Sequence, residues 1–343
     1  MSDVKSLMLE EAGQSPSVVA GLLEKETSTF ASIAKLFADI KPSVVSTAAR
    51  GSSDHAATFF KYLFEIKCGI PVASIGPSIA SVYGAPLQLK NGVHFTVSQS
   101  GASPDIVALQ ETAKKGGATT IAVVNVTDSP LARQADIVLD ICAGPERSVA
   151  ATKSFIASAA ALAGVTAAVS GDQDLASALR KLPDALSSTS GLETAAAEDR
   201  LLQASSLYIS GRGPAFAIAL EAALKSKETA GLHAEAFSLA ELMHGPMRLI
   251  DRGFPIIAFT PEDAAYENNA AALAHLEKLG ASVISLSTRP STGLGLQSTT
   301  TGNTLLDPLV SLLVYYRIIE SVTRRKGFDP DKPANLLKVT ETV

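Results

Sequence analysis

Short apolar runs alternate with longer amphipathic stretches along most of the chain. Residues 43–46, 94–97 and 120–123 read as strands in the front half, and 206–209, 255–259 and 283–286 in the back half. Most are followed by residues with the spacing of a helix. Such alternation predicts an α/β fold, with a parallel sheet flanked by helices on both faces. Residues 154–171 carry no charge but are mostly Ala, Ser and Gly. Alanine is too weakly apolar for a convincing membrane span, so this stretch reads as a closely packed internal helix.

The two halves share a layout. The first strand runs into Arg50-Gly51-Ser52-Ser53, and its later counterpart into Ser210-Gly211-Arg212-Gly213, with Gly51 and Gly211 lying 160 positions apart. Ser98-Gln99-Ser100-Gly101 holds the place that Thr260-Pro261-Glu262-Asp263 holds later. Gly117 of Lys115-Gly116-Gly117-Ala118 and Gly280 of Lys278-Leu279-Gly280-Ala281 are 163 apart. A repeat this long is no solenoid unit; it predicts two similar domains. The expected divisions are a helical arm at 1–34 packed on the first domain, a first domain at 35–174, a linking helix at 175–197, a second domain at 198–333 and a tail at 334–343. By its pattern alone the tail reads as mobile and functionally silent.

Composition narrows the class. With 343 residues, two domains are the natural expectation, and 46% hydrophobic against 18% charged residues excludes disorder. A net charge of −5 speaks against a nucleic-acid partner. The two cysteines, Cys68 and Cys142, lack metal-ligand spacing, so neither a disulfide framework nor a structural zinc site is expected. The N-terminus lacks the pattern of a secretory signal, and a reducing cytoplasm is the expected compartment.

Candidate chemistry gathers at two places. Ser98, Gln99, Ser100 and Ser103, with Gly101 and Pro104, lie between a strand and a helix. A helix N-terminus there offers free N–H groups and partial positive charge, and the side chains add donors. Capping the helix needs only one serine; three, with Ser52 and Ser53 after another strand, point to a phosphate cradle. The second place follows Gly213-Pro214, where a helix is expected to run to about Thr229 or Ala230 and stop at Gly231. Glu221, Lys225 and Glu228 share one of its faces. For the helix alone, a solvated salt-bridge stripe is the simpler account. Beyond it, His233-Ala234-Glu235 and Glu241-Leu242-Met243-His244-Gly245-Pro246 bring two of the five histidines. Carboxylate, imidazole and ammonium are what aldose–ketose proton transfer requires. The spacing gives no H-E-x-x-H metal pattern, and neither a metal nor another cofactor is expected.

At these motifs the chain resembles the tandem sugar-isomerase (SIS) domain family, and within it the isomerase half of glucosamine-6-phosphate synthase. The motifs are Ser98-Gln99-Ser100-Gly101, Ala219-Leu220-Glu221 to Lys227-Glu228, His233-Ala234-Glu235-Ala236, Glu241 to Pro246, and Pro333 to Thr340. The resemblance implies that Ser53, Ser98, Gln99, Ser100 and Ser103 hold a phosphate, with Gly51, Ser52 and Val149 beside the sugar. It implies Glu228 as the base between C1 and C2, Lys225 as its neighbour, His244 as the ring-opening group reaching in from a partner subunit, and Lys338 as the lysine meeting the sugar's carbonyl carbon. That overturns the silent reading of the tail. A homodimer with shared sites is implied too.

Three departures bear on substrate. No cysteine precedes Cys68, so the glutamine-hydrolysing half with its N-terminal nucleophile is missing from this sequence; Ala151 replaces a sugar-contacting serine; Ser103 replaces a threonine. A chain of this layout is similar to the stand-alone glucosamine-6-phosphate deaminases, and the expected reaction is conversion of glucosamine 6-phosphate to fructose 6-phosphate and ammonia. Deglycation of fructosamine phosphates, isomerisation of galactosamine or tagatose phosphates, and sugar-phosphate sensing without turnover are the alternatives.

Overall fold

Three helices come first: α1 (Leu7–Gly13), α2 (Ser15–Lys25) and α3 (Thr27–Ile40), in a computed structural model that describes residues 5–290 and 292–338. The first sheet is built from β1 (Val45–Ala48), β2 (Val72–Ser74), β3 (Val93–Ser98), β4 (Thr119–Val124) and β5 (Ile137–Asp140). Between these strands lie α4 (Ser52–Cys68), α5 (Ser78–Ser81), α6 (Pro104–Lys115) and α7 (Pro130–Gln134). After α8 (Lys153–Ser170), α9 (Gln173–Ser187) and α10 (Ala195–Leu202) comes a second sheet of β6 (Ser206–Gly211), β7 (His233–Ser238), β8 (Pro255–Phe259), β9 (Ser282–Ser287) and β10 (Leu294–Gln297). Its helices are α11 (Pro214–Ala230), α12 (Leu239–Leu242), α13 (Tyr266–Lys278) and α14 (Asp307–Arg325).

All pairings within both sheets are parallel. The strand orders are β2-β1-β3-β4-β5 and β10-β9-β8-β6-β7. Renumbered within its own half, the second order is the first read backwards, so the duplication extends to topology. In each sheet the chain steps one way from its first strand to its second, and the other way from its third onward. Right-handed crossovers then put the helices on opposite faces, which explains the doubly covered sheets. The reversal of direction between β1 and β3, and between β6 and β8, opens a crevice beyond the strand ends where ligands settle in such folds.

Two compact units result. One holds Ser17–Glu146 and Lys153–Arg180; the other holds the residues up to Pro16, Arg147–Thr152 and Lys181–Lys338. The N-terminal arm expected on the first domain is therefore divided. Its first helix packs on α14 of the second sheet's unit, where Ser6 Oγ donates to Glu320 Oε1 at 2.7 Å and the Asp331 carboxylate accepts from the Leu7 and Met8 amides, both at 2.8 Å. The physical reason is that the free N–H groups at the start of α1 find their acceptor there. The tail beyond Phe328 is docked rather than loose as far as Lys338; Val339 to Val343, including the end of the Pro333–Thr340 motif, lie outside the described residues.

The internal helix expected at 154–171 is α8. It is long and apolar enough to cross a membrane, but 83% of its window is buried within the protein. It packs on α3 and α4, and Gly164 leaves room for the ring of Phe30.

One core residue should make stability depend on pH. His94 in β3 is wholly buried, with Nδ1 2.8 Å from Ser46 Oγ, and burial pushes its imidazole down to about 4. The unfolded chain takes up this proton near about 6.5, well before the folded one does. The contribution is complete above that pH and drains away as pH falls through about 4, amounting to about 3 kcal/mol. Urea midpoints across this window should fall less steeply for His94→Asn than for the parent. An unchanged slope would show that other groups set the acid sensitivity.

Candidate active site

The front crevice is built from two strand ends. After β1, Gly51 (φ 54°, ψ −132°) turns the chain into α4, whose first turn carries Ser52 and Ser53. After β3 the loop 98–103 leads into α6. Ser98 Oγ accepts from the Gly101 amide at 3.1 Å, and Ser100 Oγ from the Ala102 amide at 3.4 Å. Gly101 is required twice over: its φ is +61°, and a Cβ would lie 2.1 Å from Ser129 Oγ. Ser103 occupies the N-cap of α6 yet makes no side-chain capping bond. Capping thus does not account for its hydroxyl; within the first turn of α6 the Ile106 amide donates to Asp105 Oδ1 at 2.8 Å. No local pattern in the chain points to the brace between the strand ends. Arg50 Nε and Nη2 both donate to Asp105 Oδ2, at 2.9 and 2.6 Å, with Asp105 fully buried and Arg50 half exposed. The guanidinium joins the loop after β1 to the start of α6.

In the other unit Gly213 (φ 60°, ψ −135°) repeats the Gly51 turn before α11. That helix runs as expected to Ala230 and ends on Gly231 in the left-handed conformation. Its charged face is not the solvated stripe anticipated for the helix alone. The side chains of Lys225 and Glu221 are 1% and 0% exposed, because α14 covers them; Glu228 retains 24%. Lys225 Nζ lies 2.5 Å from Glu228 Oε2 and 3.5 Å from Glu221 Oε1, which also accepts from Tyr316 OH at 3.2 Å. Two carboxylates therefore face one desolvated ammonium. Of these carboxylates only Glu228 also reaches solvent.

Lys338 belongs to the same unit as this triad. Its Nζ donates to Ser148 O at 2.7 Å, beside the half-buried Val149. His244 follows α12 in a turn and is exposed, as are His233 and Glu235 of β7. The structure thus brings Lys225 to Glu228, and Lys338 to the 147–149 segment.

Among the described residues one group could approach a metal ion: Glu26, Asp140 and Cys142, with ligand atoms within 4.8 Å of one another. Lys25 Nζ already sits 2.7 Å from Asp140 Oδ2, and burial together with Asp140 pushes the Cys142 thiol up to about 11. The cluster thus already contains a cation, the Lys25 ammonium on Asp140.

Known proteins fit this architecture. The SIS domain family matches residues 41–167 and 200–311. An isomerizing glutamine–fructose-6-phosphate aminotransferase of Sulfurisphaera tokodaii is 31% identical over 343 residues, covering 96% of this chain and 56% of the relative. The chain thus spans about half the length of the curated relatives it matches. A crystal structure from Silicibacter pomeroyi, provisionally named a phosphosugar isomerase, is 39% identical with a TM-score of 0.90, covering 95% of this chain and all of that one. The C-terminal domain of the Francisella tularensis glucosamine-fructose-6-phosphate aminotransferase is 25% identical with a TM-score of 0.83, over 96% and 99% of the two chains. With both sheets matched and their topology repeated, the chain belongs to the SIS domain family.

Proposed function

We propose that the chain converts glucosamine 6-phosphate and water to fructose 6-phosphate and ammonia. The observation that carries this reading is the partly open Glu228 carboxylate held on the buried Lys225 ammonium, a base beside a cation. In the proposed reaction Ser53, Ser98, Gln99, Ser100 and Ser103 hold the phosphate, while Gly51, Ser52 and Val149 border the sugar. His244, supplied by a second copy of the chain, opens the ring to the C1 aldehyde. Glu228 takes the proton from C2 and returns it to C1, while the C2 amine gives up one proton and O1 gains one, leaving a C1 hydroxyl and an imine at C2. Water adds to C2 and ammonia leaves, giving the ketose. Lys225 and Lys338 stabilise the oxyanion that develops at O1.

The exposed His244 and the unspent Ser103 hydroxyl support these roles. Incubating the purified protein with glucosamine 6-phosphate, without glutamine, should release ammonia and fructose 6-phosphate in equal amounts. If neither product forms, the reading is wrong. Consumption of a fructosamine or galactosamine phosphate instead would move the chain to another leaving group on the same scaffold.

A further inference from the structure

The segment Arg147–Thr152 has no helix or strand of its own, yet Ser148, Ala150 and Thr152 are buried. Backbone amides in such a segment must find acceptors. Two of them find a side chain more than 130 residues away. Glu11 of α1 is 2% exposed, and its carboxylate accepts from the Arg147 amide at 2.6 Å and the Ser148 amide at 3.1 Å. The next amide, of Val149, donates to Asp331 O at 3.4 Å. Asp331 is itself fixed, because its carboxylate accepts from Leu7 and Met8 at the start of α1. The carbonyl of Ser148, whose amide is on Glu11, accepts the Lys338 ammonium.

Helix α1, the 147–149 segment and the C-terminal tail are therefore joined at three consecutive residues. A buried carboxylate is a costly way to satisfy two amides if filling space is all that is needed. What it adds is direction: two oxygens on two adjacent N–H groups fix the rotation of the peptide planes, and so the aim of the Ser148 carbonyl.

We infer that Glu11 is a positioning residue for Lys338: by holding the Arg147 and Ser148 amides it sets the carbonyl that seats the lysine, and Asp331 locks the same seat from the tail. The inference rests on the proposed role of Lys338, but the seating itself is a matter of structure. It has two separate readouts.

The first needs no turnover. In Glu11→Gln one oxygen becomes an NH2 group facing an N–H donor, so one of the two bonds is lost. Amine acylation followed by peptide mass spectrometry should show Lys338 modified several-fold faster than in the parent, with Lys114 unchanged as an exposed reference. The second is kinetic. Glu11→Gln should lower kcat by about 10- to 100-fold, the range that small misplacements of a reacting group produce, with KM for the sugar phosphate little altered. In a Lys338→Met background the same substitution should cost almost nothing more, because residues acting through one another are not additive. Asp331→Asn serves as the second variant should Glu11→Gln fail to fold. An unchanged Lys338 acylation rate overturns the inference, and so do kinetic losses that multiply in the double variant. If the parent turns over no amino-sugar phosphate, the proposed reaction falls and the acylation rate alone decides whether Glu11 seats the lysine.

Discussion

Replacing Glu228 by glutamine is expected to lower turnover of glucosamine 6-phosphate by about 100- to 10,000-fold, the usual worth of a positioned general base. The amide keeps the size of the side chain and still accepts a hydrogen bond from Lys225, so the helix should stand and KM should move little. The substitution removes only the ability to carry a proton from C2 to C1. Steady-state assay of fructose 6-phosphate release, with circular dichroism to verify folding, gives the comparison. A variant with turnover within a few-fold of the parent would mean that another group is the base. Exchange of the C2 hydrogen with solvent should fall in parallel, since it reports the same step without requiring ammonia to leave.

Lys225→Met is expected to destabilise the second sheet's unit by about 3–5 kcal/mol, the cost of leaving a buried charge without its partner. Glu221 is the reason. Its side chain is fully buried, and the Lys225 ammonium 3.5 Å away is the cation that faces it. Adding Glu221→Gln should restore part of the loss, because the charge that needed compensation is gone. Urea denaturation of the parent, the single variant and the double variant measures both effects. A loss below about 1 kcal/mol for Lys225→Met would be the signature of a solvated pair, and the desolvated triad would then be wrong.

That triad marks where a sequence stops being informative. The 221, 225, 228 spacing tells that the three groups share a face, and Gly231 tells where the helix ends. Neither tells what lies over the face. Tyr316 covers it from α14, 95 residues after Glu221, and no local period encodes such a contact. The same holds at the N-terminus. The arm was legible as helix, but its first turn is held by Asp331, more than 320 residues away. Local propensity favours neither sheet as its resting place. The loop at 98–103 was more readable, because its geometry is local: glycine at a left-handed position, hydroxyls, and a proline opening the helix. Its brace from Arg50 to Asp105 was not readable, since it depends on β1 and β3 lying side by side. Duplication was the strongest long-range signal, and both sheets repeat one strand order.

Because α1 joins a body made mostly of residues after Lys181, biosynthesis of this chain has an awkward timetable. Leu7 and Met8 are translated more than 320 residues before Asp331, the acceptor of their amides. At synthesis rates of roughly 5–20 residues per second that is a wait of about a quarter of a minute to a minute. Meanwhile the unit that holds the sheet starting at Val45 is complete, among the described residues, once Arg180 has been made. Splitting the gene between the two repeats would therefore not yield two autonomous halves: the downstream fragment would be born without the peptide that clasps its own C-terminus.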